Sequence, residues 1–312
     1  MIKVIAPGLL TTLQDGGRYG YQQFGVPVCG AMDRYSLNLA NLLAGNDPDE
    51  AALEITYLGP TLQFERGCAF AICGGRFAAK LDGCPIEHAR AYSAAPGSVL
   101  EIGAVQEGFR GYLAVSGGFA VEPVLGSRST YLKGGFGGLN GRKLQKEDVL
   151  PLRDPAIWLP FMDQRTFEPD TWRYPLADRP IRVVLGPQQE RFSERGIETF
   201  LSEEYKVTQE SDRMGYRLDG KAIEYAEGCD GNIISDGIVM GAVQVPSGKP
   251  IIMMADRQTT GGYSKIATVI TADLPLLAQK QAGDKLRFEA VTPEAAAMLR
   301  RKQQGFLKRL AF

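Results

Sequence analysis

Glycine and proline interrupt this sequence so often that long regular elements have little room. The chain of 312 residues contains 37 glycines and 18 prolines, and both residue types form turns or end helices and strands. Between them lie short apolar or alternating runs, a pattern typical of β-strands. These runs are Ala69–Cys73, Val99–Gly103, Tyr112–Val115, Ile181–Leu185, Ile251–Ala255, Thr268–Thr271 and Leu286–Val291. The sequence therefore predicts a mainly β fold.

Helical periodicity is convincing in only three segments, which are Arg34–Ala44, Gln188–Ser202 and Glu294–Gln304. Asp33 precedes the first segment as a predicted N-cap, and Gly45 follows it as a predicted stop. So few helices cannot cover both faces of a parallel sheet. The pattern disfavours a doubly wound α/β fold and favours a closed or sandwich-like β architecture.

The length of the chain predicts about two domains. The segment from Pro151 to Pro180 is rich in proline, contains both tryptophans and shows no sustained hydrophobic period. Such a composition is typical of a linker or of a loop on the surface. We therefore predict an N-terminal β domain over residues 1–150, a linker over 151–180, and a C-terminal β domain with a terminal helix over 181–312.

The charges are balanced, with 35 basic against 36 acidic residues and a net charge of −1. A large nucleic-acid or anionic-membrane surface needs clustered basic residues, so neither partner is expected. The sequence shows no signal-peptide pattern and no apolar stretch of about 18 residues. The five cysteines are odd in number and form no Cys-x-x-Cys pair, which is typical of reduced thiols. We expect a cytoplasmic protein.

Sequence motifs for metal, triad or phosphate chemistry are weak. His88 is the only histidine, which excludes a multi-histidine metal site, and we predict no metal site. For His88 we predict a surface position on a strand. Gly241–Lys249 has six residues between its glycines, where a phosphate loop has four, and Pro250 follows it. It therefore predicts a strand and a turn. Gly134–Gly141 has two open interpretations, a flexible hairpin tip or a backbone nest for an anion.

Three segments concentrate groups suited to bind a small polar substrate. Gly25–Asp33 leads into the first predicted helix, whose unpaired N–H groups suit a carboxylate or carbonyl ligand. Arg128 lies between hydroxyl residues in Leu125–Thr130, and its planar guanidinium can hold a carboxylate through two hydrogen bonds. Asp256–Lys265 follows a predicted buried strand and combines many hydrogen-bonding side chains with two glycines.

We predict the functional residues from these segments. The candidate catalytic residues are Asp256, Arg257 and Lys265. The candidate substrate-binding residues are Asp33, Arg128, Gln258, Thr259, Thr260 and Tyr263. Arginine and threonine donors are suited to hold a carboxylate and to stabilise an oxyanion.

Six motifs in a fixed order carry a family resemblance. They are Pro7–Arg18, Gly25–Asp33, Asn41–Asn46, Leu125–Thr130, Ser211–Tyr216 and Asp256–Tyr263. In this order they resemble the allophanate hydrolase subunit 2 family over residues 2–291, nearly the whole chain. The departures are small: Cys29 stands where the family often has serine, Gly16 where leucine is common, and Glu147 where glycine is usual. A hydroxyl role at position 29 is therefore not carried over.

The resemblance implies both a fold and a function. It implies two cyclophilin-like β-barrel domains, in agreement with the β-rich pattern. It also implies a subunit of an ATP-dependent 5-oxoprolinase, which opens 5-oxo-L-proline to L-glutamate. Such a subunit is expected to be active only in complex with a PxpA-like subunit and a PxpB/KipI-like subunit. Because this chain has no phosphate-loop sequence, we expect at least part of the ATP chemistry to lie with the partners.

Two other functions stay open. One is the carboxyltransferase component of a biotin-dependent urea or amide carboxylase, since the same family fold occurs in urea carboxylase. Biotin would then arrive on another protein, because neither Lys133 nor Lys265 lies in a biotinylation sequence. The other is a non-enzymatic antagonist of a KipI-like protein that regulates a sensor kinase, which requires an interface and no chemistry.

Overall fold

The computed structural model describes residues 1–154 and 165–310 and consists mainly of β-strands. The chain divides into two compact units. Unit 1 comprises Met1–Tyr19, Cys29–Leu176 and the chain from Leu307, and unit 2 comprises Gly20–Val28 and Ala177–Phe306. The predicted mainly β fold, with two barrel-like domains and a few short helices, is confirmed.

The predicted linker at 151–180 is described only in part, because residues 155–164 lie outside the described residues. On both sides of that gap the chain belongs to unit 1. Leu152 forms an isolated β-bridge with Phe119, and Thr166 forms one with Arg90. The boundaries at 150 and 181 stay predictions.

Unit 1 contains a nine-stranded sheet in which all pairs are antiparallel. Its strands are β1 (Ile2–Ala6), β2 (Leu10–Gln14), β3 (Ala52–Thr56), β4 (Thr61–Phe64), β5 (Cys68–Leu81), β6 (Cys84–Pro85), β7 (Ala91–Ala94), β8 (Val99–Val115) and β9 (Val149–Leu150). The main path runs in the order β2-β3-β8-β4-β1-β9, and β5 pairs with β6, β7 and β8. Strands distant in sequence therefore meet along β5 and β8.

The long strands β5 and β8 form the backbone of unit 1. They pair from Phe70 opposite Val115 to Leu81 opposite Leu100, with irregularities in register between Gly74 and Ala79. Apolar side chains on one face of the sheet form the core, in which the Phe64 and Phe70 rings stack with centroids 5.4 Å apart. This burial of aromatic and aliphatic surface is the main stabilising contribution in the unit.

Helix α1 (Arg34–Ala44) packs on β5 and β8. The Asp33 carboxylate accepts a hydrogen bond from the Ser36 N–H, which satisfies one of the free donors at the helix start. Gly45 ends the helix in the left-handed conformation with φ of 75°, which glycine adopts without a steric cost. The predicted bounds, cap and stop of this helix are confirmed.

Unit 2 contains an eight-stranded sheet. Its strands are β10 (Ile181–Leu185), β11 (Tyr205–Val207), β12 (Gly215–Asp219), β14 (Ala242–Gln244), β15 (Ile251–Met253), β17 (Lys265–Val269), β18 (Lys285–Leu286) and β19 (Phe288–Ala290). The order is β18-β11-β12-β15-β14-β17-β10-β19. Because β18 and β19 are separated by Arg287 alone, the two ends of this sheet are neighbours. The sheet therefore curls into a nearly closed barrel.

Two further strands, β13 (Asn232–Gly237) and β16 (Thr260–Tyr263), form a separate antiparallel ribbon. Within the described part of the chain, each of them pairs only with the other. The ribbon is largely exposed, and the Ile234 side chain is 94% accessible to solvent. The ribbon therefore offers most of its side chains to solvent.

The remaining helices are α2 (Pro169–Trp172), α3 (Glu194–Ser202), α4 (Leu274–Ala278) and α5 (Pro293–Leu310). Helix α3 begins six residues later than predicted, because Ser193 caps it and a 3-10 turn occupies Gln189–Arg191. Helix α5 continues beyond the predicted end at Gln304. Over the described residues, no helix combines the length and apolar character that a bilayer span requires.

Candidate active-site loops

The Asp256–Lys265 segment leaves the barrel of unit 2 after β15, forms one arm of the ribbon as β16, and re-enters the barrel at β17. Its first residues are buried: Asp256 is 5% and Arg257 is 7% exposed. The middle of the segment is exposed at Gln258, Thr260 and Tyr263. The segment thus has a fixed base and a solvent-facing arm.

The base is fixed by a buried ion pair between Asp256 and Arg213. The two carboxylate oxygens of Asp256 accept hydrogen bonds from Nε and Nη2 of Arg213 at 2.9 and 2.8 Å. The side chains of Arg213 and Asp256 are 7% and 6% exposed, respectively. In addition, the Asp256 N–H donates to the Arg213 carbonyl at 2.8 Å. Such a two-point contact fixes orientation as well as distance.

Arg213 is a residue that the sequence prediction missed. It lies in the Ser211–Tyr216 motif, which carried the family resemblance without any assigned role. One signal could have found it. Asp256 follows a predicted buried strand and had no assigned counter-ion, and a buried charge requires a partner. In the structure Asp256 holds the start of the segment through Arg213, and its catalytic role stays a prediction.

Arg257 lies beneath the ribbon and donates to backbone oxygens. Its Nε group donates to the Ile238 carbonyl at 3.1 Å, and its Nη1 group donates to the Met254 carbonyl at 3.3 Å. Ile238 directly follows β13, so these bonds tie the start of the loop to the other arm of the ribbon. Its predicted catalytic role stays a prediction, because the guanidinium already holds protein groups.

Lys265 lies at the far end of the segment and is also buried, with 4% of its side chain exposed. Its Nζ donates to Oδ2 of Asp236 at 2.8 Å and to the Gly237 carbonyl at 3.4 Å. The hydrogen bond from Lys265, joined by that from the Gly237 N–H, lowers the pKa of the Asp236 carboxyl. The sequence prediction missed Asp236, whose 58% exposed side chain brings a carboxylate to the surface of the ribbon.

The four predicted substrate-binding residues of this segment offer unused side-chain groups. Gln258, Thr260 and Tyr263 are exposed and Thr259 is half-buried. Among the described residues, none of these four side chains has a hydrogen-bond partner. The backbone is held instead, since the Thr259 carbonyl accepts from the Ile238 N–H at 3.0 Å. The arm therefore presents hydroxyl and amide donors on a fixed backbone, the arrangement a polar ligand requires.

Asp33 belongs to unit 1 and is fully buried. Its Oδ2 accepts from the Ser36 hydroxyl at 2.6 Å, and its N–H donates to the Tyr112 hydroxyl at 2.8 Å. The Tyr112 hydroxyl in turn donates to Glu54, which also accepts from the Met32 N–H. Burial and the neighbouring Glu54 carboxylate raise the pKa of Tyr112. This network fixes the loop before α1, and the sequence prediction missed Glu54 and Tyr112.

The Leu125–Thr130 segment is organised around the Asp15 carboxylate. Asp15 accepts from the hydroxyl groups of Ser127 and Ser129 at 2.7 and 2.5 Å, and from the Arg128 N–H at 2.6 Å. The segment therefore holds a carboxylate of this chain through its hydroxyl groups and one backbone N–H.

The Arg128 side chain points away from that carboxylate. Its Nε donates to the Val121 carbonyl at 2.7 Å, and its Nη1 lies 3.8 Å from Oε1 of Glu50. Its side chain is 27% exposed. Arg128 is thus positioned by protein groups, and its predicted substrate contact stays a prediction.

The Gly134–Gly141 segment packs closely on its neighbours. A Cβ atom at Gly138 would lie 1.9 Å from Oγ1 of Thr130, and one at Gly141 would lie 2.1 Å from the Gly135 backbone. Both glycines have positive φ angles of 51° and 68°, a conformation that disfavours side chains. Close packing accounts for these two glycines, and anion binding by the segment stays a prediction.

The single histidine corrects a prediction. His88 lies in a turn between β6 and β7, so the predicted surface strand position is wrong. Burial lowers the pKa of His88 to about 4, against the opposing effect of a hydrogen bond to the Gly74 backbone. Within the described ranges, no group of three or more His, Cys, Asp or Glu side chains is arranged to hold a metal ion.

The predicted site residues thus fall into two sets. Asp33 and Arg128 belong to unit 1, and the residues of Asp256–Lys265 belong to unit 2. Within unit 2 the segment contacts Arg213 of the Ser211–Tyr216 motif and Asp236 of β13.

Comparison with known proteins identifies relatives along the full length of the chain. A family model described as the carboxyltransferase domain, subdomain A and B, matches residues 24–290. The C subunit of the Escherichia coli 5-oxoprolinase is 39% identical, and the match covers 100% of this chain and 98% of that protein. The C subunit of the Haemophilus influenzae 5-oxoprolinase is 38% identical, with coverage of 99% and 97%, respectively.

Among solved structures, the urea amidolyase of K. lactis superposes with a TM-score of 0.90 at 33% sequence identity. The match covers 99% of this chain and 20% of the amidolyase chain. The same module therefore occurs inside a much longer enzyme. The family model and the two full-length relatives show that the chain belongs to the family of the carboxyltransferase domain, subdomain A and B, which also contains the C subunits of 5-oxoprolinase.

Proposed function

We propose that this chain is the C subunit of a cytoplasmic, ATP-dependent 5-oxoprolinase that cleaves 5-oxo-L-proline to L-glutamate. It acts in complex with a PxpA-like subunit and a PxpB/KipI-like subunit. The observation that carries the proposal is the match to the C subunits of two 5-oxoprolinases over at least 97% of their length. Such a match supports an equivalent subunit role rather than a shared module alone.

The exposed arm of the ribbon is the part of this chain best suited to meet the substrate. 5-Oxoproline carries a carboxylate and a lactam carbonyl, and both are hydrogen-bond acceptors. Thr260 and Tyr263 present hydroxyl donors on the exposed arm, and Lys265 supports the far end of the arm through its ion pair with Asp236. Asp256 and Arg257 act through the arm they hold, because both side chains are buried and bonded to protein groups.

The reaction requires activation of an unreactive amide. Transfer of the γ-phosphoryl group of ATP to the lactam oxygen releases ADP and makes the ring carbon electrophilic. Water then adds to that carbon and the carbon–nitrogen bond breaks, which leaves an acyl phosphate of glutamate. A second water hydrolyses this acyl phosphate to glutamate and phosphate. Donors aimed at the developing oxyanion lower the barrier for such a step. We assign at least part of the ATP binding to the partner subunits, because this chain has no phosphate-loop sequence.

The proposal is tested by reconstitution. The chain is mixed with the PxpA-like and PxpB-like proteins encoded in the same genome, and ADP release is measured with and without 5-oxoproline. We expect substrate-dependent ADP release only when all three proteins are present. Full turnover by the chain alone, or by the two partners without it, would contradict the proposed division of labour.

Variants of the exposed arm test the assignment of the site. Tyr263→Phe and Thr260→Val each remove one hydroxyl donor, and we expect kcat/KM to fall about tenfold or more with an unchanged melting temperature. Arg257→Lys should lower activity and melting temperature together, because it loses bonds within the protein. Tyr57→Phe, at an exposed tyrosine of unit 1, is the matched control and should leave both unchanged. Wild-type activity in both hydroxyl variants would remove the ribbon from the site.

A carboxyltransferase role is the second candidate, favoured by the match to K. lactis urea amidolyase. In that case the complex would need a biotin-carrying protein and a urea-like substrate. ADP release that depends on urea and is blocked by avidin would favour this function. Relief of KipI-like inhibition of a sensor kinase, without any substrate-dependent ADP release, would favour the regulatory function.

A further inference from the structure

Unit 1 contains a cavity that the proposed function does not use. It has a volume of about 780 Å³ and lies between the distal part of β5, the turn that contains His88, and the segment around α2. Its apolar walls include Phe77, Ala79, Ile86, Phe167 and Trp172. Cavities of this size and lining are typical of small-molecule sites. All of its lining residues belong to unit 1.

The aromatic walls favour a planar ligand. Phe77 and Phe167 are each 6% exposed and therefore fixed by packing. Trp172 is half-buried, and the Arg173 guanidinium lies over its ring, 5.4 Å from the centroid. Flat aromatic faces bind planar rings by stacking or edge contacts. The aromatic side chains of the wall therefore favour a planar ligand, whatever hydrogen bonds it forms.

His88 supplies one polar group to this apolar wall. Among the described residues, its Nε2 atom is buried and has no hydrogen-bond partner. The hydrogen bond to the Gly74 backbone therefore falls to Nδ1 and raises the pKa of the ring, while burial lowers it more strongly, to about 4. At neutral pH the imidazole is uncharged, so a proton on Nδ1 leaves the lone pair of Nε2 as an acceptor.

An unpaired buried acceptor destabilises the protein unless a donor reaches it. Nothing in the fold of unit 1, as described, supplies that donor to Nε2. A ligand with an N–H group would supply it. The same ligand must be planar to lie against Trp172 and Phe77.

The rim of the cavity indicates a neutral ligand. Its cations are Arg76, Lys80 and Arg173, and its carboxylates are Glu87 and Glu168. A further carboxylate, Glu107, lies 3.8 Å from Arg76 and 2.5 Å from Arg173. The charges therefore nearly cancel, and the rim offers no strong preference for an anion or a cation.

We propose that this cavity is a binding site for a small, neutral, planar heterocycle whose N–H group donates to Nε2 of His88. The ligand stacks on the aromatic wall formed by Phe77, Phe167 and Trp172. The Trp172 ring meets the imidazole edge-on with centroids 5.0 Å apart, so a ligand on this wall lies next to His88. The site shares no residue with the ribbon of unit 2 and requires no 5-oxoprolinase activity.

Indole and 1-methylindole are the probes, since they share a ring system and differ in the N–H donor. The chain contains one histidine, so ¹⁵N-histidine labelling gives a single pair of imidazole nitrogen signals. We expect indole to produce a saturable shift of the Nε2 signal. We expect 1-methylindole to bind about tenfold more weakly, as the loss of one hydrogen bond implies.

Two variants separate the hydrogen bond from the charges of the rim. His88→Asn keeps a donor for the Gly74 backbone and removes Nε2, so indole affinity should fall about tenfold to that of 1-methylindole. Binding by this variant is measured by calorimetry, after its melting temperature has shown that it is folded. Lys80→Ala removes a rim charge and should leave indole affinity unchanged.

The wild-type comparison of the two probes does not depend on any variant. Absence of a saturable indole shift, or equal affinity for indole and 1-methylindole, would overturn the proposal. A weaker affinity for indole in Lys80→Ala would also contradict it, because a neutral ligand should not depend on that charge.

Discussion

Removing the Asp256 carboxylate should strongly destabilise unit 2. In Asp256→Ala the Arg213 guanidinium, which is 7% exposed, loses both of its hydrogen bonds to a counter-ion. Breaking a buried pair from one side costs about 3–5 kcal/mol, because an uncompensated charge stays buried. Replacing both partners with apolar residues, as in Arg213→Met with Asp256→Leu, should cost much less. The Arg213–Asp256 pair thus fixes the conformation of the Asp256–Lys265 segment and adds little to the net free energy of unfolding.

Urea denaturation of the wild type, each single variant and the double variant measures these free energies of unfolding. The double-mutant cycle isolates the coupling between the two side chains, provided that the m-values stay equal. A loss below about 1 kcal/mol in Asp256→Ala would refute the reasoning, since it would match an exposed ion pair instead. A double variant less stable than either single variant would refute it as well.

Three further predictions concern stability. The pKa of Asp273 is lowered because hydrogen bonds from Arg182 and Arg179 outweigh the effect of burial. The ionised carboxylate therefore stabilises the fold fully above the unfolded pKa of about 3.9, and Asp273→Asn should be less stable than wild type by the largest amount at pH 7. Urea denaturation should show that this difference in the free energy of unfolding becomes smaller in acid. Because the pKa of His88 falls to about 4, the free energy of unfolding should decrease by about 3 kcal/mol between pH 6.5 and pH 4, and the same titration of His88→Asn should lack this decrease. Gly141→Ala should lower stability by about 2 kcal/mol or more, since the new Cβ meets backbone at 2.1 Å, whereas Gly135→Ala has open space and should cost only about 1 kcal/mol by thermal denaturation.

Local patterns predicted the elements whose causes are local. Helix α1 begins and ends as predicted, because an aspartate cap and a glycine stop act within a few residues. Ile181–Leu185 is a strand as predicted. By contrast, Val99–Gly103 and Tyr112–Val115 are two ends of one strand, β8. The intervening glycines and charges concealed its continuity, which comes from pairing with distant β5.

The sequence indicated which residues the candidate segment contains, but not which residues elsewhere in the chain they contact. The sequence located the Asp256–Lys265 segment, since its polar side chains follow a buried strand. It could not show that Asp256 pairs with Arg213, 43 positions away, or that Lys265 holds Asp236. Those contacts follow from sheet order, which no local pattern contains. The single histidine was predicted at a surface strand position, whereas it lies half-buried in a turn.

The central claim is that this chain is needed to convert 5-oxoproline into glutamate. Its most direct test is product formation from ¹³C-labelled 5-oxoproline and ATP, followed by NMR, with the three proteins mixed or with this chain omitted. We expect one labelled glutamate for each ADP released, and none when the chain is absent. Glutamate formation at an undiminished rate without the chain would contradict it.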